Sequence, residues 1–224
     1  MRSMPMSSTI YQPHKNWHER FFDLFPEERK DGANVRIITF IVTERCNMSC
    51  TYCYEHNKSD KVMSVQVAED AVDFILTNSD YIDISSTPSV ILEFIGGEPL
   101  LEIDLIERII SYFNRQTFKL DHPWFNRAMF SICSNGLLYI AEPVQEFIQR
   151  HHNRLSMGIS IDGDREMHDR CRVDTSGCGT YDRILPAVQK LIASSVHPHT
   201  KVTFAHENLH RISTAITHLM DLGF

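Results

Sequence analysis

The stretch VRIITFIVTERCNMSCTYC, Val35 to Cys53, sets the frame in which the rest of the chain is read. Its first eight residues are apolar or β-branched apart from Arg36. That run is too short for a typical helix and suits a strand buried in a parallel sheet. Cys46, Cys50 and Cys53 follow almost directly, so half of the chain's six cysteines fall within eight residues.

Beyond them the same alternation repeats. MSVQVAEDAVDFIL reads as a helix, with Ser64 as its cap and Val67, Ala71, Phe74 and Ile75 at helical spacing. SVILEFI, RAMFSICS, LSMGISI and TKVTFAH read as strands. IDLIERIISYFN, EPVQEFIQRH, TYDRILPAVQKLIASS and LHRISTAITHLMDLG read as helices, with Pro143 near a helix start and Pro186 as a kink. The segment between SIDGD and TYDRIL reads as a loop. Five βα units in a row predict an α/β fold, a parallel sheet with right-handed crossovers and helices packed outside it. In such sheets function gathers at the carboxyl ends of the strands. TERCNMSCTYC, GGEP (Gly96–Pro99), CSNG and SIDGD all fall on that edge.

At 224 residues and 42% apolar, the chain can bury a substantial core, most simply as one domain. No run approaches the ~18 apolar residues of a membrane span. The first residues, MRSMPMSSTIYQPHKN, lack the apolar core of a signal peptide. A cytosolic, reduced setting is therefore expected, where clustered cysteines bind metal or react. The net charge of −7 disfavours a nucleic-acid partner. Residues 1–34 are expected to form a short amphipathic extension and 35–224 the core. The chain stops at DLGF, where a further strand would begin, so a fragment or a core completed by a partner is expected, with the fifth strand as an edge.

The three cysteines admit three readings. They sit at i, i+4 and i+7, the stripe of one helix face, but Asn47, Ser49 and Thr51 are weak helix formers. A structural zinc needs a fourth ligand, which Cys133, Cys171, Cys178 or a histidine such as His56 would have to supply. Thiolates of an iron–sulfur cluster are the third reading, with one iron left open if only three bind.

The C-x-x-x-C-x-x-C spacing, with Tyr52 before the last cysteine and a strand before the first, resembles the radical S-adenosylmethionine (radical SAM) superfamily. GGEP after the second strand, SNG (Ser134–Gly136) after the third and SIDG (Ser160–Gly163) after the fourth extend the resemblance over residues 35–224. It implies a partial (β/α) barrel of the TIM type, with about five of the six core units present and no C-terminal auxiliary-cluster domain. It also implies a 4Fe–4S cluster ligated by Cys46, Cys50 and Cys53, with S-adenosylmethionine on the open iron. Reductive cleavage would then give a 5′-deoxyadenosyl radical that takes a hydrogen atom from substrate. The resemblance makes Gly96, Gly97, Glu98, Pro99, Ser134, Ser160, Arg172 and Tyr52 cofactor-binding residues. Glu98 would accept from the ligand's ammonium, the two glycines would let backbone approach it, and the Arg172 fork would meet a carboxylate. Cys133 stands where the family often has glutamine or threonine. SISIDGDREMHDRCRVDTSGCGTYDRIL is similar to a segment of peptide- and protein-modifying members, including anaerobic sulfatase-maturating enzymes, with His168, Asp169 and Arg172 in matching places. Asp162 is expected to bind substrate or cap the loop, and Cys171 and Cys178 to be bystanders. The implied partners are a peptide or protein substrate and a reductase, flavodoxin or ferredoxin as electron donor. A cluster-binding chain without turnover and a zinc-binding interaction module are the alternatives. His197, His199 and His206 are expected to be solvated residues flanking the fifth strand.

Overall fold

The computed structural model describes residues 35–78, 82–83, 85–194 and 196–224. The expected extension over residues 1–34 lies outside them. Five strands, β1 (Val35–Thr43), β2 (Ser89–Gly96), β3 (Ala128–Ser134), β4 (Leu155–Ser160) and β5 (His197–Lys201), pair in parallel in chain order. The helices are α1 (Val65–Thr77), α2 (Ile103–Lys119), α3 (Glu142–His151), α4 (Arg165–Cys171), α5 (Tyr181–Ile192) and α6 (Ile212–Leu222). This is the expected α/β architecture, a sheet of neighbouring parallel strands wrapped by helices as in a partial barrel. Among the described residues, no helix is long and apolar enough to cross a membrane.

Strand side chains alternate between two faces. Val90, Leu92 and Phe94 of β2, Phe130 and Ile132 of β3 and Met157 and Ile159 of β4 share one core with Ile106, Ile109, Phe113, Phe147 and Val188 of the helices. Burying each such large apolar side chain contributes about 1.5–3 kcal/mol, which sets the helices against the sheet. The other face is smaller and more polar. Glu93, Ser131, Cys133, Ser156, Gly158, Ser160, His199 and Lys201 take alternate places on the inner side of the partial barrel.

Four expectations are corrected. The fifth strand is His197–Lys201, shifted three residues upstream so that it shares only Thr200 and Lys201 with TKVTFAH. Its His199 ring fills the room over Gly158, where a Cβ would lie 2.3 Å from Nε2. After Lys201 the Thr203 N–H turns to Asp162 Oδ1 (3.0 Å), which draws the chain out of the ladder. His199 is therefore an inner-face residue of β5, its Nδ1 3.1 Å from Ser156 Oγ, and burial lowers its pKa to about 4. Secondly, helix α4 occupies part of the expected loop, capped by Asp164, which accepts from Met167 N at 3.0 Å. Thirdly, α2 runs to Lys119. Finally, Ser64 does cap α1, but that helix buries Ala68, Val72 and Leu76, while Val67 and Phe74 are exposed. Its residues are apolar nearly all round, so spacing alone could not choose the face.

Candidate active site

A cavity of about 400 Å³ opens at the carboxyl ends of the strands. Cys46, Cys50, Tyr52 and Cys53 form one wall, and Gly96, Gly97 and Glu98 the next. Ser134 and Ser160 close the floor, and Arg172 lies beside them. Every predicted cofactor residue except Pro99 lines this one space. Pro99 is buried at the start of the 3₁₀ turn Pro99–Glu102, with Glu98 as its cap.

The loop that carries the cysteines is irregular, not helical, and backbone from two sides holds it. On one side Gly97 N donates to Thr43 O (2.9 Å) and Glu98 N to Arg45 O (2.8 Å). On the other, Ser49 N donates to Val173 O and Thr51 N to Cys171 O, both at 2.9 Å. Thus the two informative stretches of sequence, far apart in the chain, brace one another. The glycines have a definite reason. Gly96 has φ +150°, and a Cβ there would lie 2.2 Å from Thr43 O; one on Gly97 would lie 2.2 Å from Arg45 O. The room left by both missing side chains is taken by the cysteine loop's own backbone.

Glu98 is wholly buried and accepts three hydrogen bonds, from Ser134 Oγ (2.8 Å), Asn135 N (2.8 Å) and Leu100 N (3.1 Å). Burial raises its pKa, and the three donors oppose that. A carboxylate offers about four acceptor positions; two of them pin the third loop to the second, and one caps the turn Pro99–Glu102. Ser134 is committed likewise, donating to Glu98 and accepting from Gly136 N at 2.9 Å. Ser160 keeps its hydroxyl freer, 3.6 Å from Cys133 Sγ.

Arg172 forms a buried ion pair, Nε to Asp162 Oδ2 at 2.9 Å. The Tyr52 hydroxyl donates to the same oxygen, and the Arg172 guanidinium lies 5.5 Å from the Tyr52 ring centroid. Asp162 thus serves neither solvent nor a simple cap; it ties arginine, tyrosine and the Thr203 amide together. Behind it, Asp162 N donates to His168 Nδ1 (3.3 Å), and Thr180 Oγ1 donates to Arg172 O (3.0 Å). With the Thr180 proton so used, the 3.0 Å contact to His168 must be Nε2–H donating. His168 is a neutral Nε2–H tautomer, and burial holds its pKa down at about 4.

Asn135 and Lys201 carried no role in the sequence reading. Asn135 Nδ2 donates to Asn47 Oδ1 (2.6 Å) and lies 3.9 Å from Cys46 Sγ. Its place inside SNG was the available signal. Cys171 is buried, Cys178 is exposed, and neither lines the cavity.

All three loop cysteines are free and half-buried. Burial raises the thiol pKa of Cys46 and Cys50; Lys58 opposes this at both, and Arg172 at Cys50. Among the described residues, no three His, Cys, Asp or Glu side chains converge to hold a single ion. Three thiols spread around one cavity fit a polynuclear thiolate-bound group better than a lone tetrahedral zinc. Glu55 Oε2 on the same wall is buried without a hydrogen-bond partner among the described residues, a polar atom left for an occupant.

A family profile described as the radical SAM superfamily matches residues 40–216. The uncharacterized protein MJ0907 of Methanocaldococcus jannaschii is 36% identical over 61% of this chain and 41% of its own length. A cysteine-type anaerobic sulfatase-maturating enzyme of Clostridium perfringens is 29% identical over 64% of this chain and 37% of its own. Among solved structures, native anSMEcpe with bound AdoMet superposes with a TM-score of 0.68 at 22% identity, over 84% of this chain and 49% of that one. Streptococcus suis SuiB bound to precursor peptide SuiA superposes at 0.52 and 14% identity, over 99% and 45%. The chain therefore spans less than half the length of each of these proteins.

Proposed function

The chain belongs to the radical SAM superfamily, and on that premise we propose that it is the cofactor-binding core of an enzyme that modifies a peptide or protein side chain. The observation that carries this reading is the meeting of three free thiols with the GGEP, SNG and SIDG loops around one cavity. Cys46, Cys50 and Cys53 would hold a 4Fe–4S cluster, and S-adenosylmethionine would occupy the rest of the space. When bound, these groups supply the reductive cleavage that yields a 5′-deoxyadenosyl radical able to take hydrogen from a substrate.

The chain's own residues prepare the site. Ligation needs thiolates, and Lys58 and Arg172 offset part of the burial that resists them. Arg172, held by Asp162, presents its remaining donors to the cofactor carboxylate. Ser160 offers a hydroxyl from the end of β4, and Tyr52 an aromatic wall. Glu98 and Asn135 keep the glycine and SNG loops in register with the cysteines. The peptide substrate is supported by the sulfatase-maturating relatives and by the likeness to SuiB, which was solved with its precursor peptide. A reductase, flavodoxin or ferredoxin would deliver the electron.

The test is anaerobic reconstitution, followed by iron and sulfide analysis and incubation with dithionite and S-adenosylmethionine. About four irons and four sulfides per chain, with release of 5′-deoxyadenosine, is the expected result. An intact cluster without 5′-deoxyadenosine would leave a binding chain without turnover, and stoichiometric zinc without sulfide would sink the proposal.

A further inference from the structure

Among the described residues three cations line the cavity, and two are engaged. Arg172 pairs with Asp162, and Lys58 Nζ donates to Met48 O at 2.5 Å. Lys201 differs. It ends β5 on the inner face, across the ladder from Ser160. Its exposed side chain has no hydrogen-bond or ion-pair partner among the described residues. Its position differs too. Lys58 and Arg172 act on the thiols of the cysteine loop; the charge of Lys201 is felt at Cys133, as that of Arg172 is, and at His199. Lying beside Ser160 at the end of β5, Lys201 enters the cavity from the wall built by β3 to β5, whereas Lys58 enters from the cysteine loop. That wall is otherwise made of neutral thiol and hydroxyl groups, Cys133, Ser160 and Thr203. Glu93, deeper on the same face, accepts from Thr39 Oγ1 at 2.9 Å. An unpaired cation facing a cavity from a neutral wall attracts an anion, and a carboxylate matches it with charge-assisted hydrogen bonds.

We propose that Lys201 anchors a carboxylate of the substrate, so that the chain acts on an acidic peptide. The inference rests on the proposed function and adds a substrate class to it. The cofactor carries one carboxylate, for which Arg172 has the planar fork; Lys201 is left for a second.

Lysine footprinting tests this on the full chain, with and without the reconstituted cluster and S-adenosylmethionine. Glutarate serves as the carboxylate probe and glutaramide as its neutral counterpart. Acetylation at each lysine is followed by mass spectrometry. Saturating glutarate should slow acetylation of Lys201 by about fivefold or more, the scale of a partly exposed charge pair, while Lys119 and Lys190 keep their rates. Glutaramide should protect nothing. Equal rates with both probes would overturn the proposal. So would protection by S-adenosylmethionine alone, which would assign the lysine to the cofactor carboxylate. Lys201→Met should leave the cofactor dissociation constant within about twofold, and a loss of about tenfold or more would also overturn it. Iron and sulfide are measured on the same samples. A missing cluster therefore counts against the functional reading, and an unprotected Lys201 beside an intact cluster counts against this inference.

Discussion

Replacing Gly97 with alanine separates two explanations of the glycine pair. The sequence reading gives the glycines to a ligand; the structure gives their space to the cysteine loop. An alanine Cβ would lie 2.2 Å from Arg45 O, 2.6 Å from Arg45 C and 2.8 Å from Glu44 O. Carbon–oxygen contacts between backbones ordinarily sit at about 3.3–3.6 Å, so the loop must retreat by about 1 Å. All three atoms are backbone, and no side-chain rotation relieves them. Gly97 is absent from the left-handed residues, so the cost is steric, about 1–3 kcal/mol for overpacking. Retreat also breaks the bonds from Gly97 N to Thr43 O and from Glu98 N to Arg45 O, each worth about 0.5–1.5 kcal/mol. The sum is about 2–6 kcal/mol, or on the order of 10 °C in melting temperature for a chain of this size. Differential scanning fluorimetry measures the shift, and iron content after reconstitution reports the displaced Cys46. Gly177→Ala is the control. It has φ +83° with nothing within 4 Å, so only the left-handed strain of about 1–2 kcal/mol applies. A Gly97→Ala protein that melts within about 2 °C of wild type, and loses only affinity for S-adenosylmethionine, would refute the packing argument.

Asp162→Asn leaves Arg172 charged and buried without its partner, and should cost about 3–5 kcal/mol in chemical denaturation; an unchanged midpoint would contradict the network. Cys50→Ala should lose the cluster and its broad visible absorbance, and a variant with full iron would contradict the ligand assignment. For His168 the folded pKa, about 4, lies below the unfolded value of about 6.5. The neutral form is the one the fold holds, so its contribution is complete above pH ~6.5 and declines as pH falls toward ~4, by up to about 3 kcal/mol. His168→Gln should flatten that part of the stability profile; an equal slope in both proteins would show that the histidine takes no part.

Much of the architecture was legible in the residues because it is written locally. Alternation of β-branched runs with helical periods, Ser64 before α1 and Pro143 in the first turn of α3 report on their own neighbourhoods. Where local signals were degenerate, the reading failed. The all-round apolar α1 could not declare its buried face. The β-like run TKVTFAH kept only Thr200 and Lys201 in the strand; the ladder is HPHTK, with the His199 ring over Gly158, about forty residues back in the chain. Helix α4 is a short element, and its charged sequence gave no apolar period to find.

The candidate site divides in the same way. The sequence alone determined that four rim loops lie at the ends of successive strands and that three cysteines share one of them, since strand direction and loop order follow from connectivity. Only the tertiary structure decided that Glu98 turns inward to pin SNG, that Asp162 ties Arg172 to Tyr52, and that Lys201 faces the cavity without a partner among the described residues. Those outcomes depend on which groups meet across some hundred residues of chain and on how fully each is desolvated. Hydrogen-bond capacity and burial belong to the assembled set of side chains, so no single stretch carries them.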